Sequence, residues 1–217
     1  MDAYVINLDK DKNKWSTMQK EFKDSSINLR RFPAIEHKVG AYGLIETFIA
    51  VLKMAHIKKL ENILILEDDI YLTKGWEERW DKIKQWLHAN PKAWDIYSGG
   101  AWGIILPQEV GKIDTITLYN PLISLCAHWT YIPRRTYSSL IDFLTRYKEY
   151  IKLPLLGDAF ALDNLLCFYK TIISYPFIAY QKNMVSSIKR FYKKDNIKTF
   201  KNAEQSLAKT RKKMRSK

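Results

Sequence analysis

Apolar and polar residues along this chain fall into two alternating rhythms, one suited to strands and one to helices. Residues 3–7, "AYVIN", form a short apolar run that predicts a buried strand. Trp15, Met18 and Phe22 follow at i, i+3 and i+7, which places them on one face of an amphipathic helix. Residues 27–35 are strand-like up to Pro33. Residues 43–60 predict a helix with Leu44, Phe48, Val51, Leu52 and Ala55 on one side. "NILIL" (62–66) is a continuous aliphatic run of the kind covered on both faces in a parallel sheet. The rhythm continues with a helix over 75–90, carrying Trp76, Trp80, Ile83 and Leu87, and a strand over 94–100 that ends in two glycines. A strand over 122–133 ends at Pro133. Helices are predicted over 136–151 and 161–170, and a last strand over 171–181 is broken at Pro176. Strands alternating with helices imply an α/β fold, a Rossmann-type α/β/α sandwich around a mostly parallel mixed sheet.

Composition adds bounds to this picture. With 217 residues, 47% of them hydrophobic and 13% aromatic, the chain has enough apolar mass for one domain with a large core. No apolar run approaches the roughly 20 residues of a membrane-spanning helix. The start, "MDAYVINLDK", lacks a basic stretch followed by an apolar one, so a cytoplasmic location is expected. Cys126 and Cys167 then read as reduced core cysteines. Formal charge is +13, and residues 189–217 hold twelve Lys and Arg against Asp195 and Glu204, leaving the body near neutral. Two parts are expected: a single domain over 1–190 and a basic extension over 191–217, a weak helix fading into disorder. Such an extension could touch an anionic membrane surface peripherally, bind nucleic acid, or only aid solubility. The near-neutral body argues against a dedicated nucleic-acid groove.

Chemistry concentrates in "ILILEDDIYL" (63–72), where Glu67, Asp68 and Asp69 end an aliphatic strand. Like charges held close resist ionisation, so a positive partner is expected. In an α/β sheet, ligands bind beyond the carboxyl ends of the strands, and both this cluster and Gly99 with Gly100 lie at such ends. Hard divalent cations such as Mg²⁺ or Mn²⁺ take one or two carboxylates together with substrate phosphates. Along an extended strand Glu67 and Asp69 project to one side and Asp68 to the other. Asp69 is the expected metal ligand, and Glu67 either shares the metal or contacts a bound donor. Asp68 faces a backbone amide or a basic partner. The competing account is a strand-to-loop junction whose acids cap the next turn. His37, His56, His88 and His128 are scattered without zinc-type spacing, and His128 reads as a core residue. The chain contains no P-loop, no G-x-G-x-x-G and no G-x-S-x-G.

Several segments, taken in order, resemble glycosyltransferase family 25, which includes lipooligosaccharide and procollagen galactosyltransferases. "YVINLDKDKNKWSTM" is similar to that family's opening, "RRFPAIE" and "GLIETFIAVLKMA" to its next two segments, and "ILILEDDIYL" to its acidic motif. "WDIYSGG", "HWTYIPRRTYSSLI" and "LDNLLCFY" with "SYPFIAYQKNMVSSI" continue the likeness to about residue 188. Leu44, Thr47 and Phe48 stand where the family has Cys, Ser and His, and Lys14 where it has Arg. A lysine keeps the charge and loses the bidentate fork.

The resemblance implies a GT-A-like fold, a UDP-sugar donor, inversion at the anomeric carbon, and Mn²⁺ or Mg²⁺ at Asp69 and Glu67. Asn7, Glu67, Asp68, Gly99 and Gly100 are the residues it sets around the donor. The expected activity moves a hexose, galactose or glucose, to a glycan or a protein-linked hydroxyl. The departures motivate the alternative, a weak or inactive nucleotide-sugar- or glycan-binding module of the same fold. Inversion by single displacement needs a carboxylate base. Asp163, aligned with a family aspartate, and Asp158, which could equally cap the next helix, are the candidates. Trp102, beside the two glycines, could stack on an acceptor sugar, and Gln181 matches a late family glutamine without an assigned task.

Overall fold

The computed structural model describes residues 1–152, 161–183 and 196–215, with side chains of the last helix described as far as Lys209. The first half alternates as the pattern predicts: β1 (Asp2–Asn7), α1 (Lys12–Glu21), β2 (Asn28–Pro33), α2 (Gly40–Ile57), β3 (Asn62–Glu67), β4 (Ile70–Leu72), α3 (Trp76–Ala89) and β5 (Ile96–Ser98). Four further strands follow, β6 (Trp102–Ile105), β7 (Gln108–Ile113), β8 (Ile116–Asn120) and β9 (Ile123–Leu125). The chain closes with β10 (Trp129–Pro133), α4 (Arg134–Tyr147), α5 (Leu162–Leu166), β11 (Thr171–Tyr175), β12 (Ala179–Gln181) and α6 (Asn196–Arg215).

Eight strands form the central sheet in the order β2-β1-β3-β10-β5-β11-β8-β7. Strands β2, β1, β3, β5, β11 and β7 run one way, and β10 and β8 run against them. The sheet is therefore mostly parallel in direction, with β10 wedged antiparallel between β3 and β5. Alternation along β3 supplies both faces of the core. Ile63 and Ile65 pack with Phe48, Val51 and Leu52 of α2 and Tyr137, Leu140 and Leu144 of α4. Leu64 and Leu66 pack on the other face with Met18, Trp80, Ile83, Leu87 and Trp129. Each such side chain contributes about 1.5–3 kcal/mol when fully buried. By length and composition α2 could cross a membrane, but its apolar face is the core of this layer.

Three stretches differ from the sequence expectation. Residues 122–133 make two strands in different sheets, β9 pairing with β6 and β10 entering the centre. The run 171–181 divides at the cis Tyr175–Pro176 bond, and its second half, β12, pairs with β4. Residues 102–120, which carry no clear period, form β6, β7 and β8. The basic segment is helical over Asn196–Arg215 and lies against the domain through Phe200 and Leu207, both buried beside Phe177 and Tyr180. Glu204 fixes it, accepting hydrogen bonds from the Phe177 amide at 2.7 Å and the Tyr180 hydroxyl at 2.6 Å.

Candidate functional site

The acidic cluster sits at the carboxyl end of β3, where the chain leaves the sheet. Glu67 is the last strand residue, its amide bonded to the His128 carbonyl at 2.9 Å. Asp68 and Asp69 form a turn into β4, and the Lys182 amide closes on the Asp69 carbonyl at 2.6 Å. The pairing of β12 with β4, Gln181 opposite Ile70, brings the Gln181 side chain over the cluster. Its amide donates to Glu67 Oε2 at 3.3 Å and is also hydrogen-bonded to Asp69. Glu67 and Asp69 thus share one side through Gln181. Asp68 turns the opposite way, to the Asn7 amide at 2.7 Å and Lys14 at 3.4 Å.

The electrostatics separate the three acids. Burial pushes the Glu67 carboxyl well above its ordinary value, and Asp69, Asp68 and Asp163 push it further in the same direction. Asp69 is raised from 3.8 to about 7, first by burial and then by Asp68, against the opposing pull of Lys14 and Gln181. Burial alone would lower the Lys14 ammonium, but Asp68, Asp69 and Asp11 together raise it. Asp69 Oδ1 is buried and has no hydrogen-bond partner among the described residues. A buried polar atom left unpaired costs about 1–3 kcal/mol, more when charged. Two buried carboxylates with raised proton affinity repel one another when ionised, and a positive charge placed between them would relieve that repulsion. Among the described residues, no group of three or more His, Cys, Asp or Glu side chains is arranged to hold a metal ion. Glu67 and Asp69 fit the two-carboxylate pattern in which substrate phosphates complete the coordination.

The other expected site residues divide. Asn7 is 1% exposed, and its side chain serves the protein: it donates to Asp68 and to the Asp11 carbonyl at 3.1 Å and accepts from Arg31 at 2.8 Å. It shapes the loop after β1 and orients Asp68. Arg31 continues the network to Asp9 at 2.6 Å. Gly99 and Gly100 are both buried, and the need for glycine is internal. A Cβ on Gly99 would lie 2.5 Å from the Trp129 ring, and one on Gly100 2.2 Å from the Ala179 carbonyl oxygen. Asp163 lies in the first turn of α5, and its charge is felt at Glu67, so the fold brings it to the acidic cluster. Asp158 lies outside the described residues.

Two partnerships were not legible in the sequence. Gln181 reaches Glu67 across 114 positions of chain, and no local pattern signals that contact. Cys126 Sγ lies 2.7 Å from His128 Nδ1, and His128 Nε2 lies 3.2 Å from the Ala179 carbonyl. With Nε2–H donating to that carbonyl, Nδ1 accepts from the thiol. Burial lowers His128 to about 4 and raises Cys126, so the pair is neutral near pH 7. His128 is the core residue its strand position suggested. Thr47 is buried, donating to the Gly43 carbonyl at 2.7 Å and accepting from the Ile35 amide at 2.8 Å, and Phe48 is 1% exposed in the core.

Two clefts lie away from the cluster. One of about 340 Å³ is lined by Asn62, His88, Trp94, Arg134 and Arg135, at the opposite end of β3. The other, of about 350 Å³, lies between Trp102, Ile104 and Pro107 and the Thr199, Asn202 and Ser206 face of α6.

No family model matches the chain, and no curated protein matches it in sequence. Among solved structures, it is similar to a glycosyltransferase involved in the glycosylation of the major capsid of PBCV-1, at 10% identity over 73% of this chain and 72% of that one, with a TM-score of 0.43. Mouse xyloside xylosyltransferase 1 is similar at 8% identity over 77% and 66%, with a TM-score of 0.35. A UDP-glucose pyrophosphorylase is similar at 10% identity over 92% and 70%, with a TM-score of 0.37. At this distance only the site's own side chains can speak to its chemistry.

Proposed function

We propose that the chain is a glycosyltransferase that moves a hexose, galactose or glucose, from a UDP-sugar to a hydroxyl of a glycan or glycoprotein, with inversion. The observation that carries this reading is Asp69, buried and with an unpartnered oxygen, beside Glu67 at the carboxyl end of a central strand. Asp69 and Glu67 would hold Mn²⁺ or Mg²⁺. A divalent ion bound there supplies positive charge to a departing diphosphate, whose negative charge grows in the transition state.

The remaining roles belong to the protein. Gln181 holds the two carboxylates on one side. Lys14 and Asn7 fix Asp68 away from them, which keeps the turn in place. Asp163, close enough for its charge to act on Glu67, is the base assigned to take the proton from the acceptor hydroxyl. Asp158 remains the second candidate for that role.

Slow hydrolysis of UDP-galactose or UDP-glucose tests the reading. The wild type should release sugar only with Mn²⁺ or Mg²⁺, and Asp69→Asn should lower the rate about 10²-fold or more, the scale of removing one transition-state electrostatic contact. Metal-independent turnover at the wild-type rate in that variant would overturn it. The burial of Thr47 and Phe48 in the core, where family 25 has Ser and His, favours a second reading, a binding module without turnover. Calorimetric binding of a UDP-sugar with no hydrolysis or transfer by the wild type would select it.

A further inference from the structure

Beyond the acidic cluster, the molecule carries an exposed apolar tip next to a basic helix. The strands β6 and β9 pair antiparallel, with Ile105 opposite Ile123, and the Leu122 amide bonds to the Ile105 carbonyl at 3.0 Å. Three large side chains therefore gather at the end of this ribbon: Ile105, Leu106 and Leu122, exposed to 46%, 68% and 63%. Leu106 is the most exposed of the three and has φ of 47°, a left-handed conformation that glycine or asparagine adopts with less strain. A leucine there exposes its side chain and strains its backbone.

Helix α6 flanks the ribbon, sharing a cleft with Trp102, Ile104 and Pro107 through Thr199, Asn202 and Ser206. Lys198, Asn202, Ser206 and Lys209 follow at i, i+4, i+8 and i+11, so one exposed stripe of the helix carries both lysines along the cleft rim. Of the two acids between residues 102 and 125, Asp114 is paired with Lys82 at 2.8 Å, and Glu109 is exposed on β7. The ribbon leaves the sheet directly after Gly100, which abuts Ala179, two residues before Gln181. The base of the ribbon therefore lies at the end of the sheet that carries the acidic cluster, while its tip lies two residues from the paired Gln108 and Asn120, toward the amino end of β7.

We propose that this tip and the lysine stripe of α6 together dock the protein on an anionic phospholipid membrane. Three side chains at one tip are too few for a stable protein interface, which buries on the order of 1,200 Å² or more. They are the size of a wedge that enters the headgroup region, and the adjoining positive charge supplies the second signal that reversible membrane attachment requires. The docking surface stands whether or not the chain transfers sugars.

Co-sedimentation of the full chain with vesicles tests the proposal, comparing phosphatidylcholine alone with phosphatidylcholine plus phosphatidylglycerol. Binding is expected only to the anionic vesicles and should be lost near 1 M salt, where charges are screened beyond about 3 Å. Leu106→Asn combined with Leu122→Ser should weaken binding about tenfold or more. Asparagine tolerates the left-handed backbone, so that variant should fold as well as the wild type. Lys198→Glu with Lys209→Glu should weaken binding to a similar degree through charge alone, and it decides the matter if the first variant is unstable. Equal binding to neutral vesicles, or unchanged binding in both variants, would overturn the proposal. So would gel filtration showing a dimer that the Leu106→Asn, Leu122→Ser variant converts to monomer, which would make the tip a contact between copies.

Discussion

Gly100 faces the Ala179 carbonyl so closely that a methyl group would sit 2.2 Å from the oxygen, and that oxygen belongs to backbone held in pairing with β4. Gly100→Ala should therefore destabilise the protein by about 3 kcal/mol, the upper range for overpacking, measurable as a fall in the urea midpoint. The same displacement would move β12, and with it Gln181. At this scale the sequence was readable where chemistry contradicts packing: three acids ending an aliphatic strand announce themselves, and Glu67 and Asp69 meet through Gln181 although Asp69 lies in the turn beyond the strand, where alternation no longer applies. The internal partners of Asn7 and the two glycines, Asp68, Arg31, Trp129 and Ala179, could not be read in the sequence because they are set by tertiary contact. A buried asparagine and a pocket asparagine look alike in one dimension.

Among the elements, α6 is joined to the domain by one apolar seam and one buried-facing carboxylate. Phe200 and Leu207 supply its buried surface, and Glu204 ties it to the Phe177 amide and the Tyr180 hydroxyl. Hydrogen bonds to a charged group contribute about 1.5–3 kcal/mol each. Glu204→Ala should loosen the helix from β12, seen as faster amide exchange over Asn196–Arg215 and a loss of roughly 2–3 kcal/mol. Strands covered on both faces, such as β3, were legible because their residues are apolar without a break. The β6–β8 region was not, because edge strand β7, "QEVGKI", buries none of its residues and its register slips between Glu109 and Gly111. The docking of α6 was hidden for a related reason. Phe200 and Leu207, seven residues apart in a segment dominated by lysine, are a weak periodic signal.

Over the whole molecule, the fold sets a buried acidic centre within a chain of formal charge +13. Asp69 has a higher proton affinity folded, about 7, than the 3.8 of a free carboxyl. Between those values the folded state holds the proton that the unfolded state has released, so this group's contribution to stability falls as pH rises from about 4 to about 7. Glu67, shifted in the same direction, adds to that slope. A cation that binds the ionised pair reverses the loss, because anything that binds only the folded state stabilises it. The central claim, that Glu67 and Asp69 form a cation-demanding site, is tested most directly by thermal unfolding of the wild type and Asp69→Asn from pH 5 to pH 8, with and without Mn²⁺ and UDP. The predicted result is a wild-type Tm that falls with pH relative to the variant and recovers with Mn²⁺ and UDP, and a variant that Mn²⁺ leaves unmoved. Parallel pH profiles for the two proteins, with no response of either to Mn²⁺ and UDP, would contradict the account.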